Sequence, residues 1–207
     1  MVPIYTMDVK SRFQCSHYGV EDAAKCSCCN PKPSPLRLNI GCGPERIEGF
    51  TGVDILPGPA VDIVAPSDKL PYENESVDEI VAEHLIEHLT YYQFNRTMAE
   101  WYRVLKSGGT LTIECPDLLG LCKQFVEANE YERYTTYKGY WPIIAHLYGH
   151  QRGKSEAEEM GQVHKSGYTK EHLTSVLTGL GFTFIVNENP RKATPYSPVL
   201  RFEARKR

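Results

Sequence analysis

The sequence has no apolar run approaching the roughly 18 residues that a membrane-spanning helix needs, so no membrane partner is expected. Its first stretch, MVPIYTMDVKSRF, lacks an apolar h-region, so it does not read as a secretory signal. Charge of one sign is also scarce. The formal net charge is −3, which argues against a nucleic-acid backbone as the main partner. The only basic cluster is Arg201, Arg205, Lys206 and Arg207, and it reads as a solvated tail. No internal repeat or low-complexity tract is visible. The cysteines number seven, an odd count. With no export signal, a reduced cytoplasmic compartment is the expectation.

What is present is the composition of one globular domain with a small appendage. Of the 207 residues, 41% are hydrophobic and 24% charged. Residues 1–35 do not resemble the rest. They hold Cys15, His17, Cys26, Cys28 and Cys29, then the breaker-rich Asn30-Pro31-Lys32-Pro33-Ser34-Pro35. Thiolates and an imidazole could grip zinc. Two C-x2-C pairs are absent, however, and Cys28 adjoins Cys29, so unpaired thiols are the simpler reading and no metal is assigned. Cys42, Cys115 and Cys122 sit in or beside regular elements, where a thiol acts as a small apolar group.

From residue 36 onward, short apolar runs alternate with helical patterns. Leu38-Asn39-Ile40 ends in Gly41-Cys42-Gly43-Pro44, and Thr51-Gly52-Val53-Asp54-Ile55 follows. This reads as strand, glycine turn, strand, acid. The gap from Gly43 to Asp54 leaves room for at most one or two helical turns. Further strands are expected at 60–65, 77–82, 110–115, 182–186 and 199–204. A helix is expected from Tyr91 to Leu105, where Phe94, Met98, Trp101, Tyr102 and Leu105 recur every three or four positions; Lys106-Ser107-Gly108-Gly109 would stop it. Residues 118–135 read as one helix. Thr169 is expected to cap another that runs to Leu180, before Gly181. The stretch 136–167 is irregular, rich in aromatics and histidine, and reads as a substrate-side insertion or lid. Strands alternating with helices imply an α/β, mainly parallel sheet covered on both faces.

In such sheets the ligand sits beyond the carboxyl ends of the strands, where strand order reverses. Gly41, Gly43, Asp54, Ala65–Asp68, Glu83, His84, Pro116 and Asp117 all fall at those ends. Taken in order, LNIGCG, GVDI, LPYENESVDEIVAEHLIEHL and VLKSGGTLTIECPDL resemble the class I S-adenosylmethionine-dependent methyltransferases, in the type-11-like branch. The resemblance runs over residues 36–125. HKSGYTKEHLTSVLTGLGF resembles that branch's last helix unit, and Phe182 to Arg205 its closing strand pair.

The resemblance implies a Rossmann-like sheet of seven strands, the last antiparallel, with 36–207 as the methyltransferase domain. It implies S-adenosylmethionine as cofactor and methyl transfer to a small-molecule or saccharide-like acceptor. Gly41 and Gly43 would admit the methionine part and Asp54 would take the ribose hydroxyls. Ser67, Asp68 and Leu70 would lie near the adenine, and Glu83 and His84 would form the floor. Asn39 stands where an acid is common and Pro66 where an aspartate often reads adenine, so backbone and Asp54 must carry more of the binding.

A hydroxyl acceptor calls for a general base. His84, His88, His146, His150, His164, Glu87 and Asp117 are the candidates, of which His84, His164 and Asp117 are assigned. His88 reads as a helix-face residue, His150 as a solvated loop residue, and Trp141 and Tyr148 as core. The competing reading is a catalytically silent cofactor binder, or an interaction protein built on residues 1–35.

Overall fold

The computed structural model describes residues 34–135, 141–150, 160–188 and 198–207. The chain divides into two units, Met1–Ser34 and Pro35–Arg207, and the fold described is that of the second. The cysteine cluster Cys15–Cys29 lies outside the described residues, as do Tyr137, Tyr140 and the charged patch 154–159.

Among the described residues, seven strands form one sheet: β1 (Arg37–Ile40), β2 (Thr51–Asp54), β3 (Ile63–Val64), β4 (Val77–Glu83), β5 (Leu105–Pro116), β6 (Phe182–Glu188) and β7 (Val199–Lys206). Their spatial order is β3-β2-β1-β4-β5-β7-β6. The pairs from β3 through β5 are parallel, and β7 is antiparallel to both its neighbours. The centre is buried on both sides, as parallel sheets require: Leu38, Ile40, Val53, Ile80, Leu111 and Ile113 are at most 1% exposed. The chain from Gly41 to Phe50 holds turns and no helix, so the expected truncation of the first crossover is complete. Strand order reverses between β1 and β4.

Helix α1 (Tyr91–Val104) opens on a capping box, with Thr90 accepting from the Gln93 amide while the Gln93 side chain accepts from Thr90. Of its expected apolar stripe, Phe94, Met98, Trp101 and Leu105 are buried and Tyr102 is half-buried; Val104 is buried beside them. The expected glycine stop is not how it ends. Leu105 turns extended (φ −64, ψ 135) and pairs with Val77, so helix passes straight into strand. Pairing resumes only at Glu79 with Thr110, so Lys106 to Gly109 bulge out of the ladder. Burial of Leu105, 0% exposed, together with its strand pairing, takes the place of a glycine cap.

Glu100 of α1 accepts from the Leu70 amide (2.7 Å) and from Arg103, whose guanidinium also reaches the Tyr72 carbonyl (2.9 Å) and Asn74 (2.6 Å). These bonds fasten the 70–74 connection to the helix.

The segment 118–135 is two helices, not one. α2 (Leu118–Glu127) ends at Ala128, and Asn129 starts α3 (Glu130–Tyr134) with its own capping box. A second strong N-cap outweighs continuity here. α4 spans Ile143–Tyr148. α5 (Lys170–Leu180) is capped by Thr169 and ends on Gly181 at φ 99, as expected. Among the described residues no helix is long and apolar enough to cross a membrane.

The basic tail is the largest departure from expectation. Arg201 and Lys206 are only 8% and 7% exposed. Lys206 donates to the Leu105 carbonyl (2.8 Å), pairs with Glu75 (3.2 Å) and lies over the Tyr102 ring. In the sheet, Glu83 of β4 stands beside Glu114 of β5, and Glu114 beside Arg201 of β7. The three are abreast, so one guanidinium bonds both carboxylates, each at 3.0 Å. A cation inside an apolar strand is tolerated because two buried anions face it.

Two outcomes follow. Arg201→Met leaves Glu114 buried without its cation, and urea unfolding should show a loss of about 3–5 kcal/mol, partly restored by Arg201→Lys. Second, the Arg103 guanidinium, with the Leu70 amide, holds the Glu100 carboxyl below its usual 4.5. The stability this confers is complete above pH 4.5 and is lost as pH falls through the lower folded value. The urea midpoint of the wild type should therefore drop more between pH 6 and pH 3.5 than that of Glu100→Gln.

Candidate functional site

The turn after β1 is built from backbone. Gly41 (φ 71) and Gly43 (φ 52) occupy the left-handed region. The Gly41 amide donates to Val53 O (2.8 Å), tying the turn to β2. A Cβ at Gly41 would press against Leu85 at 2.9 Å, whereas one at Gly43 would meet nothing within 4 Å. Gly43 therefore faces open space. Across from it, the Asp54 carboxylate at the end of β2 accepts from the Gly43 amide (2.9 Å) and the Leu56 amide (3.0 Å). Asn39, 5% exposed, donates to the Glu45 carbonyl (3.3 Å) and so supports the turn from within.

The group expected near adenine is turned largely toward α1. Ser67 hydrogen-bonds Thr97 (3.0 Å) and its carbonyl accepts from the Trp101 indole (3.1 Å). Asp68 pairs with Arg96 (3.0 Å). Leu70 is 4% exposed and belongs to the core.

At the end of β4 lies a second group. Glu83 is held by Arg201. His84 adopts φ 55, a conformation uncommon for a residue with a side chain, and its amide donates to Glu114 O (2.8 Å). Its imidazole sits between two buried acids, with Nδ1 3.2 Å from Glu87 and Nε2 3.7 Å from Glu114. A 3-10 turn, Ile86–His88, carries Glu87 inward, where it is 1% exposed.

The histidines of the irregular stretch converge on the same place. His88 and His164 meet edge to face, ring centroids 4.9 Å apart. His146 and His150 lie 6.4 Å apart, and His150 packs on Trp141 at 4.1 Å. Burial, then the neighbouring His150, push His146 down to about 4. Burial likewise lowers His164. Both shifts favour the neutral ring near pH 7.

His88 and His150 are therefore not plain surface residues; each is half-buried in the cluster. Conversely, Trp141 and Tyr148, read as core, are 40% and 56% exposed, and Cys122 is an exposed thiol on α2. Asp117 caps α2, accepting from the Leu119 amide (3.1 Å), so part of its carboxylate is committed to that helix end.

The sequence reading passed over Arg201 and Glu114 as members of this region, although a usable signal existed for both. Glu114 interrupts the buried run Leu111–Cys115, and Arg201 interrupts Leu200–Phe202; opposite charges in two apolar strands imply that the strands pair.

Residues 38–113 match the family model of a methyltransferase domain, type 11. No curated protein matches the sequence. Among solved structures, an S-adenosylmethionine-dependent methyltransferase from Methanosarcina mazei is similar, with TM-score 0.52 and 16% identity over 84% of this chain and 93% of that one. One from Archaeoglobus fulgidus matches with TM-score 0.52 and 15% identity, over 84% and 87%. The 1,6-didemethyltoxoflavin-N1-methyltransferase of Burkholderia thailandensis, solved with S-adenosylhomocysteine, matches with TM-score 0.52 and 16% identity, over 90% and 77%. At these identities the likeness shows the fold. The domain model over residues 38–113, the sheet order and the glycine turn together give the chain the Rossmann-like fold of a methyltransferase domain.

Proposed function

We propose that the protein transfers a methyl group from S-adenosylmethionine to a small-molecule or saccharide-like acceptor, in the cytoplasm. The observation that carries the cofactor half is the open face of Gly43 set against the Asp54 carboxylate, at the point where strand order reverses. A carboxylate has about four lone-pair directions. Two of Asp54's are used by the Gly43 and Leu56 amides, which fix its rotamer and leave capacity for two ribose hydroxyls. The residues present therefore fit the cofactor.

In this reading Gly41 and Gly43 bring backbone against the methionine part, while Asn39 keeps the turn in shape. Ser67 and Asp68 approach the adenine through their backbone, since their side chains face α1. S-adenosylmethionine supplies an already activated methyl group, so the chain's task is alignment and exclusion of water. His84 serves as general base toward an acceptor hydroxyl: Glu87 fixes its ring through Nδ1, and the side chain stays 36% exposed at the end of β4. Glu83 acts through Arg201 to hold that end in place. The free thiols Cys42, Cys115 and Cys122 suit a reducing compartment.

Calorimetry should detect S-adenosylhomocysteine binding, and Asp54→Ala should weaken it by about 10–100-fold, the worth of charge-assisted hydrogen bonds. Gly43→Ala should cost only about 1–2 kcal/mol of stability, because its methyl group meets nothing in the protein, yet should lower affinity more than tenfold by filling the cofactor's approach. Absence of binding by the wild type would overturn the reading. The acceptor is found by incubating the protein with labelled S-adenosylmethionine and cell extract and identifying the labelled product.

A further inference from the structure

Glu87, His88 and His164 each offer one ligand atom, and these atoms all lie within 4.8 Å of one another. We infer that these three residues bind a divalent first-row transition ion, with zinc as the type case. Two imidazoles and one carboxylate form the donor set of open zinc and non-haem iron sites, which leave one or more positions for water or substrate.

The cluster is built as such sites are. Glu87 is 1% exposed, and its Oε2 is buried without a hydrogen-bond partner, while Oε1 is occupied by His84 at 3.2 Å. A carboxylate oxygen in that state lacks a counterpart, and a cation supplies it. One ring is already held from outside: His88 Nδ1 lies 3.2 Å from the Val163 carbonyl. Outer partners of this kind fix the ring and its tautomer, leaving the second nitrogen for metal.

The two segments that carry the ligands are zipped together. The Lys165 and Ser166 amides donate to the Glu87 carbonyl (2.8 and 3.2 Å), and Ser166 Oγ donates to Leu89 O (2.9 Å). Ligand atoms around an ion at about 2.1 Å stand roughly 3.4 Å apart, so side-chain rotations of the order of an ångström close the set. Glu87 and His164 also line a small pocket walled by Pro116, Leu118, Leu121 and Leu147, from which a second molecule could reach the ion. Resting on the methyltransferase reading, the ion would hold an acceptor oxygen there and favour its deprotonated form; ion binding itself stands without that reading.

The test is titration of the full-length protein with Co2+, followed by visible absorption. The expected result is one equivalent bound with d–d bands and no thiolate-to-cobalt charge-transfer band. Glu87→Gln and His164→Asn should each weaken binding at least about 100-fold, beyond the roughly 10–100-fold that loss of an outer partner costs. Replacing Cys26, Cys28 and Cys29 by serine should leave binding unchanged. Far-UV circular dichroism melts of each variant establish that it is folded; should either single variant unfold, His88→Gln takes its place. No binding by the wild type, binding indifferent to the Glu87 and His164 changes, or binding lost with the cysteines would each overturn the site. S-adenosylhomocysteine affinity measured on the same samples separates the two readings: retained cofactor binding without cobalt removes the metal site alone, and cobalt bound without cofactor removes the methyltransferase reading alone.

Discussion

The guanidinium of Arg201, shared by Glu83 and Glu114, is the interaction on which the catalytic end of the sheet depends. Three neighbouring strands terminate there, and each contributes one charge. Without the cation, two carboxylates would be buried side by side, one of them at 0% exposure. With it, the ends of β4 and β5 are locked in register, and everything the next residues do follows. His84 leaves β4 with its amide bound to Glu114 O and its ring between Glu87 and Glu114. The arrangement is ionic, but its effect is positional.

The cofactor side and the histidine side rest on different chemistry. The turn after β1 is glycine backbone and one carboxylate, Asp54, and the adenine-side residues Ser67 and Asp68 spend their side chains on α1. Around His84, by contrast, the side chains dominate: imidazoles and acids brought from β4, the 3-10 turn, α4 and the segment before α5. A cofactor with an activated methyl group needs shape and access. In the proposed reaction the titratable groups would serve the acceptor, whose proton must leave.

Much of the sheet was legible because its strands are short apolar runs with punctuation. Leu38–Ile40, Val53 and Val77–Ala82 could be placed from pattern alone, and the Thr169 and Gly181 caps were read to the residue. Boundaries failed where two local signals competed. Gly108 and Gly109 looked like a helix stop, but strand pairing of Leu105 ended the helix first. Asn129 split a continuous helical pattern because its capping box outweighed the pattern. The glycine turn and Asp54 were legible because adjacent motifs encode them. The Glu87, His88 and His164 cluster was not, since its members lie on segments far apart in sequence that tertiary hydrogen bonds bring together, among them those from the Lys165 and Ser166 amides to the Glu87 carbonyl. The basic end was misread for a related reason. A charge count along the chain does not say that Arg201 faces two acids, 87 and 118 positions earlier.

That separation bears on how the protein is made. β7 lies inside the sheet, between β5 and β6, although it is the last of the described strands to be synthesised. Until residue 201 emerges from the ribosome, the Arg201 bonds to Glu83 and Glu114 cannot form, and β5 has an open edge on the side β7 will take. A nascent chain holding every other strand thus cannot settle into the finished sheet, and its exposed edge is a place for a chaperone or a neighbouring chain to bind. Closure of the sheet between β5 and β6 thus waits on β7, the last of the described strands.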